Sequence, residues 1–297
     1  MNEVNTSLTL GQRIHRAGKL ASGERAVADY LQRHPEEAAI ASAARLGAAT
    51  GTSDATVIRT VRKLGFEGLS DLKRSLVEHI TRRRDPARVL SDRVRRLSGE
   101  QHGALHSVIN AGLTLLQEVP AVLDDGAWND AVAAVRDAAQ VWVYGIGPSA
   151  GVADHLAVSL RRVGKPADAW TATGFGLSDD LLRLRPDHAV VVIAPLRVFR
   201  EIGFILEHAR RAGATSVLLT EATEDAAATA AHTILTLPDS TEGAANEVLA
   251  PLAIAHALVL ELVAADRGAA VEQYERLNGL RTEIAGTDLD LRALPES

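Results

Sequence analysis

The sequence predicts an all-α helical bundle at the N-terminus, followed by an α/β domain with a parallel sheet between two helix layers, of flavodoxin type. Three observations predict this. Apolar residues recur at helical spacing through the first part of the chain. Short apolar runs, such as Val141–Tyr144 and Ala189–Ala194, then alternate with helix-length segments, as in a parallel sheet. A chain of 297 residues that is 46% hydrophobic can also bury two separate cores.

The charge distribution divides the chain near the same place. Residues 1–85 carry 14 basic and 10 acidic side chains, and the rest carries 18 and 28, within a net charge of -6. A polyanion would therefore meet the N-terminal part. Residues 82–106 are polar and Arg-rich, with a proline and glycines. We predict a partly helical linker there, between domains over 1–81 and 107–297.

Composition excludes several kinds of chemistry. The chain has no cysteine, so disulfides, thiolate metal sites and a cysteine nucleophile are excluded. No apolar run approaches the roughly 20 residues that cross a membrane. The first residues also lack the basic and then apolar pattern of a signal peptide. We expect a cytoplasmic protein with no membrane partner and no cofactor.

Residues 51–66, GTSDATVIRTVRKLGF, predict one short helix with its own start and stop signals. Ser53 (or Thr52) is placed to cap its start, and Gly65 is placed to end it. The acidic residue that follows Ser53 suits the positive end of the helix dipole.

A second short helix precedes this one. It covers about residues 43–49 with Ser42 as its cap, and Gly51 permits a tight turn with positive φ before the next helix. Two short helices joined by a turn that contains glycine form the helix-turn-helix pattern, whose second helix enters the major groove of DNA.

The helix over 53–64 is expected to have one buried and one outward face. The apolar stripe expected to be buried is Val57, Ile58, Val61 and Leu64, and the polar stripe is Thr56, Arg59, Thr60 and Lys63. Two cations and two hydroxyls on one face suit phosphates and base edges. The predicted contacts to double-stranded DNA are Ser42, Thr52, Ser53, Ala55, Thr56, Arg59, Thr60 and Lys63. An ordinary amphipathic surface helix is the alternative interpretation.

The segments SGERAVADYL and SAARLGAATGTSDATVIRTVRKLGFEGLSDLK resemble the N-terminal domain of the RpiR family of bacterial transcription regulators. The resemblance covers about residues 20–75, and RKLGF-G-xx-LK is its most specific part. It implies one further helix over about 69–81 and binding to an operator. A symmetric dimer or tetramer would read inverted half-sites.

In the α/β part, the first predicted strand runs into the loop GIGPS and then into a helix. Ligands of such sheets lie at the carboxyl ends of the strands, where glycines allow close approach and a helix N-terminus favours an anion. The candidate effector-binding residues here are Gly145, Gly147, Pro148 and Ser149. A GxGxxG dinucleotide loop is the competing interpretation, with Ala150 in place of the third glycine. No acidic residue follows a second strand at a convincing distance for it.

The strand–GxGxS–helix order, followed by GKPADAW, resembles the SIS (sugar isomerase) domain, which extends the resemblance to about residues 20–265. It implies sensing of a small anionic metabolite such as a phosphosugar, and control of carbohydrate metabolism. The family's second phosphate loop, S-x-S-G-x-T-x-E, corresponds here to residues 194–201, APLRVFRE, in which only Glu201 is kept.

This departure leaves two hypotheses. In the first, Arg197 replaces several neutral donors with one bidentate cation, beside Ala194 and Glu201, and the site still binds an anion. In the second, the pocket is degenerate, and the domain serves dimerisation or binds something else.

Two further alternatives remain. A sugar-phosphate isomerase would need a general base, for which Glu247 on the helix after the sheet is the candidate. The altered loop and the helix-turn-helix favour a regulator, so we predict no enzyme and assign no catalytic residue. His102 and His106 are four apart, as metal ligands on a helix would be, but no third ligand is in view and no metal is predicted.

Overall fold

The structure, a computed structural model, describes residues 10–84, 86–97, 103–223, 225, 227–240 and 244–286. It confirms a helical N-terminal part followed by an α/β domain. The first helices are α1 (Leu10–Arg16), α2 (Ser22–Arg33), α3 (Pro35–Ile40), α4 (Ala43–Thr50), α5 (Asp54–Lys63), α6 (Leu69–Arg84) and α7 (Pro86–Leu97).

The first six of these helices enclose one apolar core. Its buried members from α2, α4, α5 and α6 include Leu31, Leu46, Val57, Val61 and Leu72. Helix α1 was not predicted from the sequence. It is hydrogen-bonded to the two residues that follow α5. Arg13 Nη1 donates to the carbonyl oxygens of Leu64 at 3.3 Å and Gly65 at 2.9 Å.

The turn between α4 and α5 has the predicted geometry. Ser42 Oγ accepts from the amide of Arg45, and Ser53 Oγ accepts from the amide of Thr56, both at 3.2 Å. Gly51 has a φ of 63° and ends α4 in the left-handed region. The predicted caps at Ser42 and Ser53 and the turn at Gly51 are therefore confirmed.

The α/β domain begins with two helices, α8 (Gly103–Val122) and α9 (Asp125–Asp137). Its strands are β1 (Gln140–Tyr144), β2 (Ala167–Trp170), β3 (His188–Ile193), β4 (Thr215–Thr220) and β5 (Thr233–Thr236). The helices after β1, β2 and β3 are α10 (Pro148–Arg162), α11 (Phe175–Leu181) and α12 (Arg200–Ala212), and α13 (Leu249–Ala265) and α14 (Arg267–Ala285) follow the sheet.

The sheet is parallel, in the order β2-β1-β3-β4-β5 among the described residues. Tyr144, at the end of β1, pairs with Trp170 of β2 on one side and Val192 of β3 on the other. The chain moves from β1 outward to β2 and then crosses back to β3. The carboxyl ends of β1 and β3 therefore flank the point where strand order reverses, which is where ligands bind in sheets of this class.

Two apolar cores cover the two faces of this sheet. On one face α9, α10 and α13 pack against Val141, Val143 and their neighbours. On the other face α11 and α12 pack against a cluster that includes Trp142, Tyr144 and Trp170. The rings of Trp142 and Trp170 stack with centroids 4.7 Å apart.

The structure corrects one predicted position near the end of the sheet. Glu247 does not lie on a helix, because α13 begins at Leu249 and Glu247 belongs to the turn before it. Among the described residues, no single helix is long and apolar enough to cross a membrane. Helices α13 and α14 meet that test only as a pair, and they are bent by 110°.

Candidate DNA-contacting helix and effector site

The outward face of α5 carries two arginines beside a small apolar patch. Ala55, Arg59 and Arg62 are exposed and Ile58 is half-exposed. These four residues line a shallow surface depression together with Asp54. Their spacing of i, i+3, i+4 and i+7 forms one helical stripe that ends in two cations.

This stripe is rotated by about one residue, or about 100°, from the predicted one. Thr60, predicted to face DNA, is 0% exposed, and its hydroxyl donates to the carbonyl of Thr56 at 2.8 Å. Ile58, predicted to be buried, lies on the outward face. The prediction for Thr60 is therefore wrong: α5 packs its Thr60 side against the bundle, and Arg62 takes a place on the outward stripe.

Lys63 is held by another helix. Its Nζ atom lies 2.6 Å from Glu24 Oε2 and 3.2 Å from the carbonyl oxygen of Lys19. The hydrogen bond from Lys63 holds the pKa of Glu24 below its usual range. Because Glu24 offsets its charge, Lys63 has less attraction for a DNA phosphate than Arg59 or Arg62, and its DNA contact stays a prediction.

The hydroxyl groups predicted to meet DNA also build the turn. The hydroxyls of Thr52 and Thr50 lie 2.8 Å apart, and those of Ser53 and Thr56 lie 3.0 Å apart. Arg59 Nη2 donates to Thr56 Oγ1 at 3.3 Å. Arg59 is therefore positioned by the cap of its own helix. The DNA contacts of Ser42, Thr52, Ser53 and Thr56 stay predictions.

In the candidate effector site, Gly145 supports packing. A Cβ atom on Gly145 would lie 2.5 Å from the carbonyl oxygen of Ser149, closer than real Cβ atoms come. Its amide donates to the carbonyl of Trp170 at 3.2 Å. Gly145 therefore allows α10 to start directly over the end of β1, and its amide is not available to a ligand.

The start of α10 offers an anion fewer amides than the sequence suggests. Gly147 is the N-cap with a φ of 56°, and Pro148 at the first position has no N–H. The amides of Ser149 and Ala150 donate within the turn, to the carbonyls of Ile146 and Gly147, both at 3.1 Å. The amides of Ser149 and Ala150 are therefore already engaged within the protein.

The second predicted loop lies beside the first because β1 pairs with β3. Ala194 is buried, and its amide donates to the carbonyl of Leu219 at 3.0 Å, so Ala194 continues the strand pairing. Arg197 is half-buried, with its Cζ atom 5.1 Å from the ring centroid of Phe199. Glu201 Oε1 accepts from the amide of Gly174 at 2.8 Å, which ties α12 to the loop after β2. Among the predicted residues of this loop, Arg197 is the one with donors to offer.

Unpaired buried donors mark the same end of the sheet. Among the described residues, Tyr144 Oη, Trp170 Nε1 and Arg197 Nε are buried atoms without a hydrogen-bond partner. Tyr144 is 0% exposed and Trp170 is 1% exposed. Burial raises the pKa of Tyr144 to about 12, and the carboxylate of Glu201 adds to this. Sequence reasoning missed both aromatic residues, because in an apolar strand they are indistinguishable from core residues.

The structure gives little support to the isomerase, metal-binding and dinucleotide-binding alternatives. Glu247 lies 3.8 Å from Arg93 Nη2 of α7, so its carboxylate faces a cation of the linker region. The described residues contain no group of three or more His, Asp or Glu side chains that could hold a metal ion. His102 lies outside the described residues. The residues after β2, Thr171-Ala172-Thr173, include no carboxylate for the ribose of a dinucleotide.

Comparison with known proteins agrees with both halves of the chain. Residues 10–83 match the helix-turn-helix domain of the rpiR family, and residues 134–261 match the SIS domain. The Bacillus subtilis (strain 168) protein YbbH, an uncharacterized HTH-type transcriptional regulator, is 26% identical over 263 residues. The match covers 88% of this chain and 90% of YbbH.

Two solved structures share the fold. A Vibrio vulnificus NanR structure, complexed with ManNAc-6P, has a TM-score of 0.57 and 18% identity, over 93% of this chain and 99% of that one. The sugar isomerase domain of an RpiR transcription factor from Sphaerobacter thermophilus has a TM-score of 0.55 and 23% identity. The match covers 58% of this chain and 97% of the Sphaerobacter thermophilus chain.

A helix-turn-helix bundle joined to a sugar-isomerase-type domain, in a chain similar to transcriptional regulators along most of its length, defines a DNA-binding transcriptional regulator. Its helix-turn-helix domain is of the rpiR family, and a SIS domain follows it.

Proposed function

We propose that α5 reads a specific operator through Ala55, Ile58, Arg59 and Arg62. The supporting observation is that these side chains share the outward face of α5. Arginines donate to guanine edges or phosphates, and small apolar side chains contact thymine methyl groups. Such a protein would act in the cytoplasm on genes of sugar metabolism.

The α/β domain senses a small anionic metabolite in this proposal. One observation carries it: pairing of β1 with β3 sets the Gly145–Ser149 loop and Arg197 side by side where strand order reverses. The guanidinium of Arg197 supplies positive charge to that crevice. A bound metabolite would favour one arrangement of the two halves and so change DNA affinity.

We further propose that the chain works as a homodimer or homotetramer on an inverted repeat. Helix α8 carries exposed apolar side chains at helical spacing, Leu105, Val108, Ile109 and Leu113. An apolar stripe on a long helix favours self-association. Two helix-turn-helix domains related by a two-fold axis would place two copies of α5 on neighbouring half-sites.

The proposal includes no enzymatic role. Glu247, the candidate base, lies 3.8 Å from Arg93 Nη2, so its carboxylate makes a contact between α7 and the α/β domain. Turnover of a sugar phosphate by the purified full chain would overturn this part.

The proposed function is tested in two steps on the full chain. First, duplexes are enriched from a random library, and binding to the enriched operator is compared with binding to a scrambled duplex at one salt concentration. Second, phosphosugars, sugar acids and neutral sugars are screened for a rise in melting temperature, which binding to the native state produces by mass action. Failure to enrich any sequence would contradict the DNA-binding role. A screen without hits would contradict the sensing role.

A further inference from the structure

The candidate effector site contains buried side-chain donors that have no partner within the protein. Tyr144 Oη and Arg197 Nε are buried without partners at the ends of the two strands that flank the reversal of strand order. A buried donor without an acceptor is unfavourable, so such groups mark places where an acceptor is supplied from outside. Tyr144 and α12 belong to the same apolar cluster, which places the tyrosine on the Arg197 side of the sheet.

The segment between β3 and α12 provides no side-chain hydroxyl for an anion. Ala194 uses its amide in the sheet, and Pro195 has no N–H. The carbonyl of Pro195 accepts from the amide of Glu221 at 2.8 Å, so the start of this segment is fixed against the next strand. Residues 194–199, APLRVF, contain no hydroxyl side chain and no glycine. This segment therefore offers the three terminal oxygens of a tetrahedral phosphate no side-chain hydroxyl.

The carboxylate near this site is that of Glu201, which the family's phosphate loop shares. The carboxylate of Glu201 is bonded to the amide of Gly174 and lies near enough to Tyr144 to raise the pKa of its hydroxyl. A guanidinium fork pairs with a phosphate as well as with a carboxylate, so the discrimination comes from the hydroxyl donors that residues 194–199 lack.

We propose that the effector presents a carboxylate, and not a phosphate, to the guanidinium of Arg197, while Tyr144 donates its hydroxyl to an oxygen of the same ligand. This inference rests on the proposed sensing function and names its ligand class, a small hydroxylated carboxylic acid such as a sugar acid. The planar carboxylate accepts two parallel N–H bonds from arginine. The tyrosine then gains the acceptor that the protein does not provide.

The test uses simple anions as probes on the full chain. Acetate, malonate and inorganic phosphate are titrated at pH 7.5 and constant ionic strength, with melting temperature and the indole N–H resonances of the ¹⁵N-labelled protein as readouts. Trp170 Nε1 is unpaired beside Tyr144, whereas Trp142 Nε1 donates to His188 Nδ1 at 3.0 Å and serves as the internal reference. We expect acetate or malonate to shift the Trp170 resonance saturably, with a dissociation constant at least tenfold below that of phosphate.

Three variants connect the effect to the proposed residues. Arg197→Gln should abolish the carboxylate response, while Arg200→Gln, an exposed arginine three residues later, should keep it. Tyr144→Phe should weaken carboxylate binding severalfold and raise the melting temperature of the ligand-free protein, because it removes an unpaired buried hydroxyl. That rise shows that the variant folds, so a lost response cannot be attributed to unfolding.

Each other outcome overturns the inference. Tighter binding of phosphate than of the carboxylates would contradict the ligand class and leave the sensing function intact. An unchanged response in Arg197→Gln would remove the arginine from the site. Absence of any response to all three anions would overturn both this inference and the proposed sensing of an anion.

Discussion

The Nζ atom of Lys63 lies 2.6 Å from Glu24 Oε2, so the end of α5 is fastened to the first turn of α2. Glu24 also accepts from the amide of Ala21 at 3.0 Å, which caps α2. One carboxylate therefore fixes the start of one helix and the orientation of the helix proposed to read DNA.

This pair makes a pH-dependent contribution to stability. The folded-state pKa of Glu24 is lowered from its ordinary value of 4.5, chiefly by the hydrogen bond from Lys63. The stabilisation is therefore present above pH 4.5 and is lost as pH falls through the lower, folded-state pKa. We expect Lys63→Met to be less stable than wild type at pH 7 in urea unfolding, and the difference to shrink toward pH 3. A difference independent of pH would contradict this.

The corrected face of α5 leads to a second prediction. Arg62→Gln should weaken operator binding, by about 1–3 kcal/mol if Arg62 contacts a base, or with a salt slope lower by about 1 if it contacts a phosphate. Thr60→Val should leave operator affinity unchanged within about twofold, because Thr60 is buried and bonds to its own helix. Fluorescence anisotropy at several salt concentrations measures both. A large loss of operator affinity in Thr60→Val, with the stability of the protein unchanged, would contradict this and support the stripe predicted from the sequence.

The rotation of α5 shows where sequence reasoning reaches its limit. Periodicity indicates that α5 has one buried face, and the caps at Ser42 and Ser53 follow from local chemistry alone. Periodicity could not fix the rotation of α5 about its own axis, because Thr60 and Ile58 lie at the two borders of the buried face. Packing against the other helices decides which of the two is buried. The strands were predictable because VWVY and AVVVIA are buried on both faces.

The effector site was predictable in position but not in chemistry. Strand–loop–helix order places Gly145–Ser149 and Arg197 at carboxyl ends of strands. The unpaired hydroxyl of Tyr144 and the amides used up at Ser149 and Ala194 depend on tertiary contacts that the sequence does not display.

A third prediction concerns the close approach at the start of α10. Gly145→Ala should lower the free energy of unfolding by about 1–3 kcal/mol, because its Cβ would meet the Ser149 backbone. Gly151→Ala is the matched control: nothing lies within 4 Å of its Cβ, and it is helical, so it should stabilise by about 0.5–1 kcal/mol. Urea unfolding of both variants measures the contrast. Equal effects would contradict the packing role of Gly145.

A fourth prediction concerns communication between the two halves of the chain. Arg93 Nη2 of α7 donates to the carbonyl of Ser240 at 3.2 Å, and Ser240 Oγ donates to Glu221 Oε1 at 2.6 Å, directly after β4. We expect Arg93→Gln to bind operator and effector separately with near wild-type affinity but to lose most of the coupling between them. Operator titrations with and without effector measure that coupling. Unchanged coupling would contradict a role for this contact.

The most direct test of the account is the effect of the metabolite on operator affinity in wild type and in Arg197→Gln. The compound used is the one that raises the melting temperature most in the screen. The account predicts a change of at least tenfold in wild type, and no change in Arg197→Gln, whose operator affinity without the compound stays normal. An equal response in the two proteins, or no response in wild type, would contradict it.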